Sequence, residues 1–386
     1  MILLKNHLLI GIAILTTVGC NRNSAKKAVE DSLGYYPPTP QNIPKAAFRK
    51  IYTAVDAFYD SALLHTGFNG GFLVAKGGTI ILEKYNGQQY ITKGDTINEH
   101  TAFHIASTTK TLTSGAILKL WEQGKLNIDD SLTKYFPGFP YPEMTVKMLL
   151  SQRSGLPGYN RFEKKPGWDF ETIVTNTDLL NYIITNKPKC DHAPDKAFQY
   201  SNTNFALLAL IIEKVSGKFY GDYLKEAFFI PLKMNDTYVY TKADSARSLP
   251  SFDWRGQKEA FTFLDAIYGD KNVYSTVKDL LKWDQALYTN EIFKPETLAA
   301  AFTPYSNEKP GIKNYGLGWR MNIYPDGKKI IYHNGWWHGN NSCFQRIVKD
   351  SVTIIVLGNK FNRNIYHCNK IANIFDNYFE DDGTEE

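Results

Sequence analysis

Three short strings in this chain of 386 residues carry the groups that a hydroxyl nucleophile needs for acyl transfer. The strings are Ser107-Thr-Thr-Lys110, Tyr200-Ser-Asn202 and His333-Asn-Gly335. A serine hydroxyl is a weak nucleophile at neutral pH, and it becomes reactive when a neighbouring base takes its proton. A desolvated amine three residues later, on the same face of a helix, can be that base. A phenol can then pass the proton to a leaving group.

The first two strings recur elsewhere in the chain, so spacing and context have to decide among the copies. Ser-x-x-Lys also occurs at Ser24, Ser131, Ser275 and Ser306, and Tyr-x-Asn at Tyr288, Tyr305 and Tyr332. Ser275 is the main competitor, because the string VYSTVKDLLKW places it at a helix start. That position has a structural explanation, with Ser275 or Thr276 as the N-cap and Asp279 in the first turn. We therefore place the nucleophile at Ser107.

The stretch after Ser107 predicts a helix that presents this serine at its N-terminus. Apolar residues recur there at helical spacing, and Gly124 is suited to end the helix. The first N–H groups of a helix have no intrahelical partner, and the positive end of the helix dipole lies beside them. Negative charge that develops at Ser107 would be stabilised there, and Lys110 follows one turn later.

Tyr200 is predicted to lie at the mouth of a buried helix. It belongs to a polar turn that leads into a nearly all-apolar segment, residues 205–215, and Gly217 ends this segment. From this position the phenol can share a proton with Lys110 and with a leaving group. Asn202 is expected to bind either the Lys110 side chain or a substrate amide.

The string KKIIYHNGWW predicts a strand along the opposite wall of the pocket. The alternation of a strand puts His333 and Gly335 on one face. Gly335 would let a substrate backbone approach closely. The N–H of Trp336 is the natural second oxyanion donor beside the N–H of Ser107.

Strand patterns at both ends of the chain enclose a largely helical middle. GGFLVA (70–75) and TIILEKY (79–85) predict a hairpin, and the C-terminal part contains YGLGWRMNIY, KKIIYHNGWW, SCFQRIV and SVTIIVLGN. A last amphipathic helix is expected from about 365 to 380. This layout predicts an α+β fold, in which an antiparallel sheet flanked by helices carries an inserted all-helical domain at about 106–250.

The N-terminus carries the pattern of an export signal. An apolar run at 8–18 is too short to span a bilayer, and Gly19-Cys20 follows it. The pattern resembles a bacterial lipoprotein signal, in which the cysteine is lipidated, although Thr17 stands where leucine is preferred. An ordinary secretory peptide is the alternative. We predict a lipoprotein-type signal peptide at 1–19, lipidation of Cys20, a tether at 20–45 and one folded domain at 46–380.

Composition and charge argue against several classes of function. A net charge of +5 without basic runs indicates no nucleic-acid partner. Cys190, Cys343 and Cys368 allow at most one disulfide in an exported chain, and they lack the spacing of metal ligands. Gly-x-Ser-x-Gly and His-Glu-x-x-His are both absent from the sequence, which argues against an α/β-hydrolase and a zinc hydrolase. We expect no cofactor, no metal and no protein partner.

In this order, the three strings resemble the motifs of serine hydrolases related to class C β-lactamases and D-alanyl-D-alanine carboxypeptidases, from about residue 46 to 380. Leu149-Leu-Ser-Gln-Arg-Ser-Gly-Leu-Pro157 and Tyr274-Ser-Thr276 also resemble segments of this family. The resemblance implies an antiparallel sheet beside an all-helical domain, with the active site between them. It implies a catalytic role for Ser107, Lys110 and Tyr200, and a substrate-binding or oxyanion role for Asn202, His333, Gly335 and Trp336.

Two departures from the family pattern bear on substrate. Gln152 stands where the family usually has histidine, which we expect the fold to tolerate. His333 stands where penicillin-hydrolysing members commonly carry lysine, and a neutral imidazole attracts a substrate carboxylate less strongly than an ammonium does.

The leading hypothesis is a serine hydrolase of the bacterial cell envelope, lipid-anchored and facing the periplasm or the exterior. It would act through an acyl-enzyme on D-amino-acid peptides or esters, small substrates that need no further partner. A β-lactamase is the alternative among enzymes. A non-catalytic binder of peptidoglycan fragments or β-lactams is the alternative of another class.

Overall fold

A computed structural model describes residues 42–90, 95–162 and 172–378. The predicted signal peptide, the lipidation site at Cys20 and most of the tether lie outside these residues. Among the described residues, no helix is long and apolar enough to cross a membrane.

A seven-stranded antiparallel sheet forms the centre of the molecule. Its strands are β1 (Gly70–Lys76), β2 (Thr79–Asn86), β6 (Lys313–Tyr315), β7 (Arg320–Ile323), β8 (Lys329–Trp337), β9 (Asn340–Ile347) and β10 (Val352–Gly358). They lie in the order β2-β1-β10-β9-β8-β7-β6, so strands from both ends of the chain meet at the β1–β10 pair. The sheet expected from the two ends of the chain is confirmed.

One face of the sheet packs against the two terminal helices. Helix α1 (Lys45–Ala62) and the 3₁₀ helix Arg363–Ile374 share a core with Phe72 of β1 and Tyr332 of β8. A disulfide between Cys343 of β9 and Cys368 ties the 3₁₀ helix to the sheet. The amphipathic helix expected at about 365–380 is thus a 3₁₀ helix, and it ends at Ile374, six residues earlier. A sequence pattern of buried positions does not distinguish a 3₁₀ helix from an α-helix.

The other face of the sheet packs against α7 (Val277–Ala286), which contacts β1 and β10. The other helices from the middle of the chain are α2 (Thr109–Glu122), α3 (Val146–Leu150), α4 (Asn176–Asn186), α5 (Asn202–Ser216), α6 (Tyr220–Leu224) and α8 (Pro295–Ala301). A buried ion pair joins Asp284 of α7 to Arg346 of β9, with 2.5 Å between Oδ1 and Nε.

A small second sheet was not predicted from the sequence. It has the order β3 (Phe103–His104), β5 (Val273–Ser275) and β4 (Tyr238–Val239). Strands of two or three residues are too short to show an alternating pattern, which explains why the sequence did not reveal them. This sheet matters for the site, because β3 ends three residues before Ser107.

Candidate active site

The Lys110 amine is buried and bound to three different segments of the chain. Its Nζ lies 3.2 Å from Ser107 Oγ, 2.8 Å from Asn202 Oδ1 and 2.9 Å from the carbonyl oxygen of Asp270. Asn202 and Asp270 can only accept here, so each takes an N–H of the amine. As an ammonium group, Lys110 donates to all three oxygens; once it has given up one proton, the two N–H groups held by Asn202 and Asp270 leave its lone pair directed at the Ser107 hydroxyl. This is the arrangement that a general base for Ser107 requires.

Ser107 lies where a short 3₁₀ turn, Ala106–Thr108, runs into α2. The turn packs against β8 through Thr108, whose hydroxyl donates to the His333 carbonyl oxygen at 3.1 Å. A Cβ atom at Gly335 would lie 2.9 Å from the Ser107 nitrogen and 2.5 Å from the Ile105 carbonyl oxygen. The glycine therefore admits the chain's own nucleophile turn, where the sequence had suggested a substrate backbone.

Tyr200 lies against Lys110 and borders the same space. Lys110 Nζ is 5.0 Å from the centre of the Tyr200 ring, and the His333 ring centre is 6.2 Å away. The ring is half-buried, and its segment is held by Gln152, whose Oε1 accepts from the Ser201 N–H at 2.9 Å. Tyr200 therefore lies beside Lys110, and its role in proton transfer stays a prediction.

His333 is a buried, neutral imidazole. Its Nδ1 donates to the Asn334 carbonyl oxygen at 2.8 Å, and its Nε2 lies 3.4 Å from the Tyr315 hydroxyl. Burial, with the positive charges of Lys110 and Arg320, holds the pKa of His333 well below its ordinary value. The ring therefore contributes no positive charge to the pocket, as the sequence analysis assumed.

Arg320 was missed by the sequence analysis, and it supplies a permanent positive charge close to these residues. Its guanidinium carbon lies 5.1 Å from the centre of the Tyr200 ring, and its charge lowers the pKa of His333. Arginine stays protonated in proteins and binds carboxylates in a forked geometry. It belongs to none of the three strings, and an arginine at the start of a strand carries no local signal of function.

The two tryptophans after Gly335 lie on opposite faces of β8. Trp336 lies four residues after Tyr332 and so shares its face, which is the face that packs against the terminal helices. The Trp336 side chain is 63% exposed. Trp337 shares the face of Gly335, and its indole N–H donates to Asp265 at 2.7 Å. The proposed role of the Trp336 backbone N–H as an oxyanion donor stays a prediction.

A buried charged cluster beneath Lys110 was also missed. Lys271 donates to the Tyr159 hydroxyl at 2.7 Å, and that hydroxyl donates to Asp270 at 2.6 Å. Lys271 Nζ also lies 4.5 Å from the Trp337 ring centre. Burial is the main cause that lowers the pKa of Lys271. The cluster steadies the backbone at Asp270, whose carbonyl oxygen holds Lys110.

Of the two caps expected for helix α7, Ser275 or Thr276, the structure has Thr276. Thr276 caps α7 by accepting from the Asp279 N–H at 3.1 Å, while the Ser275 hydroxyl lies 2.8 Å from that of Thr237. Lys278 points outward and pairs with Glu83 at 3.3 Å. The Ser275 string therefore lacks the serine–lysine contact seen at Ser107.

The family model described as "Beta-lactamase" matches residues 56–378. Penicillin-binding protein 4* of Bacillus subtilis (strain 168) is 32% identical over 309 residues, which cover 76% of this chain and 68% of that protein. Protein flp of Staphylococcus aureus (strain MW2) is 28% identical over 305 residues, 74% of this chain and 58% of that protein.

Solved structures show the same fold at lower sequence identity. A penicillin binding protein from Bacillus halodurans has a TM-score of 0.71 at 22% identity, covering 81% of this chain and 98% of that chain. The D-amino acid amidase from Ochrobactrum anthropi SV3, complexed with L-phenylalanine amide, has a TM-score of 0.68 at 22% identity, covering 86% and 97%.

Proposed function

The chain belongs to the beta-lactamase family of serine hydrolases, and we propose that it is a carboxypeptidase that removes a C-terminal D-amino acid from small peptides. The reaction would proceed through an acyl-enzyme on Ser107. The observation that supports this substrate class is the Arg320 guanidinium, 5.1 Å from the Tyr200 ring centre, because a peptide with a free C-terminus brings a carboxylate to the leaving-group side.

Acylation begins when the Ser107 oxygen attacks the scissile carbonyl carbon and its proton moves to the Lys110 amine. The tetrahedral oxyanion is stabilised by the N–H groups of Ser107 and Trp336. The C–N bond then breaks, and the leaving amine receives a proton from Lys110 through Tyr200. An ester on Ser107 remains, and one amino acid departs.

Deacylation runs the same steps with water in place of serine. Water gives its proton to the Tyr200–Lys110 pair as its oxygen attacks the ester carbonyl carbon. The C–O bond to Ser107 breaks and the serine oxygen regains the proton. The net reaction adds one water across one peptide bond.

A β-lactamase is the second candidate, and the same arginine favours it over an esterase. β-Lactams also carry a carboxylate near the scissile bond, so Arg320 would assist both substrates, whereas a neutral ester gains nothing from it. Because His333 is neutral, we assign this carboxylate to Arg320, whose charge also acts on His333. The contact between Lys110 and Ser107 argues against a non-catalytic binder, which needs no base at that distance.

A substrate panel with intact-mass detection tests the proposal. The panel contains a D-Ala-D-Ala peptide, the same peptide with a C-terminal amide, nitrocefin and a short-chain nitrophenyl ester. We expect the free peptide to react fastest, with an adduct that maps to Ser107 and disappears in Ser107→Ala. Faster turnover of nitrocefin would favour the β-lactamase, and turnover of the ester alone would contradict both.

The role of Arg320 is tested by the preference for a free carboxylate. Arg320→Gln should lower kcat/KM for the free peptide about tenfold or more, equivalent to about 1.4 kcal/mol, and leave the amide within about twofold. Arg247→Gln is the matched control, since Arg247 also stacks on a tyrosine, with 3.6 Å from its guanidinium carbon to the Tyr238 ring centre. Equal losses on the free peptide and its amide would contradict the assignment.

The place of action in the envelope rests on the N-terminal pattern. A lipid on Cys20 would hold the enzyme at a membrane, with the tether at 20–45 allowing it to reach peptide substrates. Changing Cys20 to serine should move the protein from the membrane fraction to the soluble fraction. A native protein that is already soluble and begins at another residue would contradict the anchor.

A further inference from the structure

The residue before the nucleophile has a backbone conformation that alanine avoids. Ala106 has a φ of 46°, in the left-handed region. An L-residue is disfavoured there because its Cβ crowds the following carbonyl oxygen, so surrounding contacts must maintain the conformation. Ala106 is fully buried, and its neighbour Ser107 takes its position from it.

His104 binds this strained residue directly. The Ala106 N–H donates to Nδ1 of His104 at 3.2 Å, so the neutral ring carries its own proton on Nε2. That Nε2 lies 3.1 Å from Oδ1 of Asn272 and donates to it. Burial lowers the pKa of His104 to about 4, which keeps the ring in the form with one donor and one acceptor.

Asn272 is itself held in place. Its amide nitrogen donates to the carbonyl oxygens of Asp265 at 2.5 Å and Ile267 at 2.9 Å, which leaves the oxygen free to accept from His104. Two residues earlier, the Asp270 carbonyl oxygen accepts from Lys110. The segment 265–272 therefore binds both the His104 imidazole and the Lys110 amine, and it fixes their positions relative to each other.

The other side of the nucleophile turn is held by the large sheet. Ser342 donates from its hydroxyl to the Ile105 carbonyl oxygen at 2.7 Å, and Gly335 lies against the Ser107 nitrogen. The Ile105 N–H donates to the Val273 carbonyl oxygen at 2.9 Å. The turn is therefore fixed between β5 on one side and β8 and β9 on the other, and the Ala106 backbone sets the direction of the Ser107 N–H that follows it.

We propose that His104 is a positioning residue for acylation, because its bond to Ala106 maintains the left-handed backbone that directs the Ser107 N–H toward β8. The inference rests on the proposed acylation of Ser107. It assigns His104 no contact with substrate. Losing the bond to Ala106 should slow formation of the acyl-enzyme, through a less well-formed oxyanion site, and leave substrate binding nearly unchanged.

Two substitutions separate the two ring nitrogens. His104→Asn can place an oxygen near the position of Nδ1 and keep an acceptor for Ala106, while His104→Gln can place a nitrogen near Nε2 and keep the bond to Asn272. Single-turnover labelling of the full chain with a fluorophosphonate measures the attack of the Ser107 oxygen, which forms a bond to phosphorus and releases fluoride, as a substitute for the acylation step. We expect His104→Gln to be slower about tenfold or more, and His104→Asn to be slower by less than about threefold. His100→Gln, at an exposed histidine bound to Asp236, is the matched control and should label at the wild-type rate.

A second change tests the backbone explanation itself. Glycine adopts a positive φ without the cost that alanine has, so Ala106→Gly in the His104→Gln background should recover at least about threefold in rate. If His104→Gln does not fold, Asn272→Ala removes the other partner of the ring, and Ala106→Gly should give a similar recovery there.

The outcomes distinguish the inference from the proposed function. Equal losses in the two His104 variants, or no recovery with Ala106→Gly, would overturn the positioning role while Ser107 is still labelled. A wild-type protein that is not labelled at Ser107 would overturn the proposed function first. A fall in rate that merely follows the fall in melting temperature across all variants would also overturn the positioning role.

Discussion

The amine of Lys110 donates a 2.8 Å hydrogen bond to the amide oxygen of Asn202, 92 positions later in the chain. This bond joins the nucleophile helix α2 to the start of α5 and takes one of the N–H groups of the amine. Asn202 and the Asp270 carbonyl oxygen occupy two positions of the Lys110 nitrogen, so its third position faces the Ser107 hydroxyl. Asn202 is therefore expected to control how well the amine acts as a base.

Substitutions at Asn202 should show this control. Asn202→Ala should lower kcat about tenfold or more, because the amine loses a fixed partner. Asn202→Asp should lower kcat further at neutral pH, because a carboxylate favours the ammonium form, which cannot take the Ser107 proton. Its activity should recover as the pH rises, which a pH–rate profile would detect. An Asn202→Asp variant as active as wild type across that profile would contradict the prediction.

Lys110 and Tyr200 should behave as one proton-transfer unit. Lys110→Ala and Tyr200→Phe are each expected to remove most turnover while leaving the fold intact, because either change interrupts the same proton path. The double variant should then lose little more than the worse single variant, as coupled catalytic residues do. Steady-state kinetics with circular dichroism measures both properties. Multiplicative losses in the double variant would show that the residues act independently.

Protein stability should fall as the pH is lowered from about 6.5 toward 4. His104 is neutral when folded, with its pKa lowered to about 4, mainly by burial and also by Lys271 and His338, against the effect of Asp265. The unfolded chain takes up that proton near pH 6.5, so it binds more protons than the folded chain within this range. The loss should reach about 1.4 kcal/mol per pH unit for this one group.

Denaturant unfolding at several pH values checks that slope. His104→Gln should flatten it between pH 4 and 6.5. His338 provides a contrast of opposite sign, since Asp265 and Glu259 raise the pKa of His338 above its ordinary value. Its contribution to stability is present at low pH and is lost as the pH rises above 6.5. An unchanged slope in His104→Gln would contradict the assignment.

The disulfide should stabilise the fold by limiting the unfolded chain. Cys343 and Cys368 are 25 residues apart, and a loop of this size contributes about 3 kcal/mol. Cys343→Ala together with Cys368→Ala should lower the free energy of unfolding by about this amount, and reductant should then have no further effect. Cys190→Ser is the control, because Cys190 is a free, half-buried thiol. The same loss in the control would show that the effect is not due to the disulfide.

Local patterns in the sequence predicted the elements that carry the chemistry. The helix after Ser107, the apolar helix after Tyr200 and the strand containing His333 all appear where the patterns placed them, as do the hairpin β1–β2 and the sheet formed from both ends of the chain. Helical spacing also put Lys110 on the face of Ser107. These features depend on residues only a few positions apart, so periodicity and capping preferences are sufficient to reveal them.

The contacts that prepare those groups for reaction were decided by the tertiary structure. Lys110 is held by a carbonyl oxygen 160 positions away, and His104 by an amide 168 positions away. Arg320 reaches Tyr200 from another strand. A backbone carbonyl has no residue type, and a lone arginine or histidine has many roles, so no string of letters marks these partners. The sequence by itself determined which groups could react. The packing of distant segments decided the positions of the base, the nucleophile and the nearby charge. Hydrogen bonds and Coulomb forces depend on distance in space, and separation along the chain does not reveal that distance.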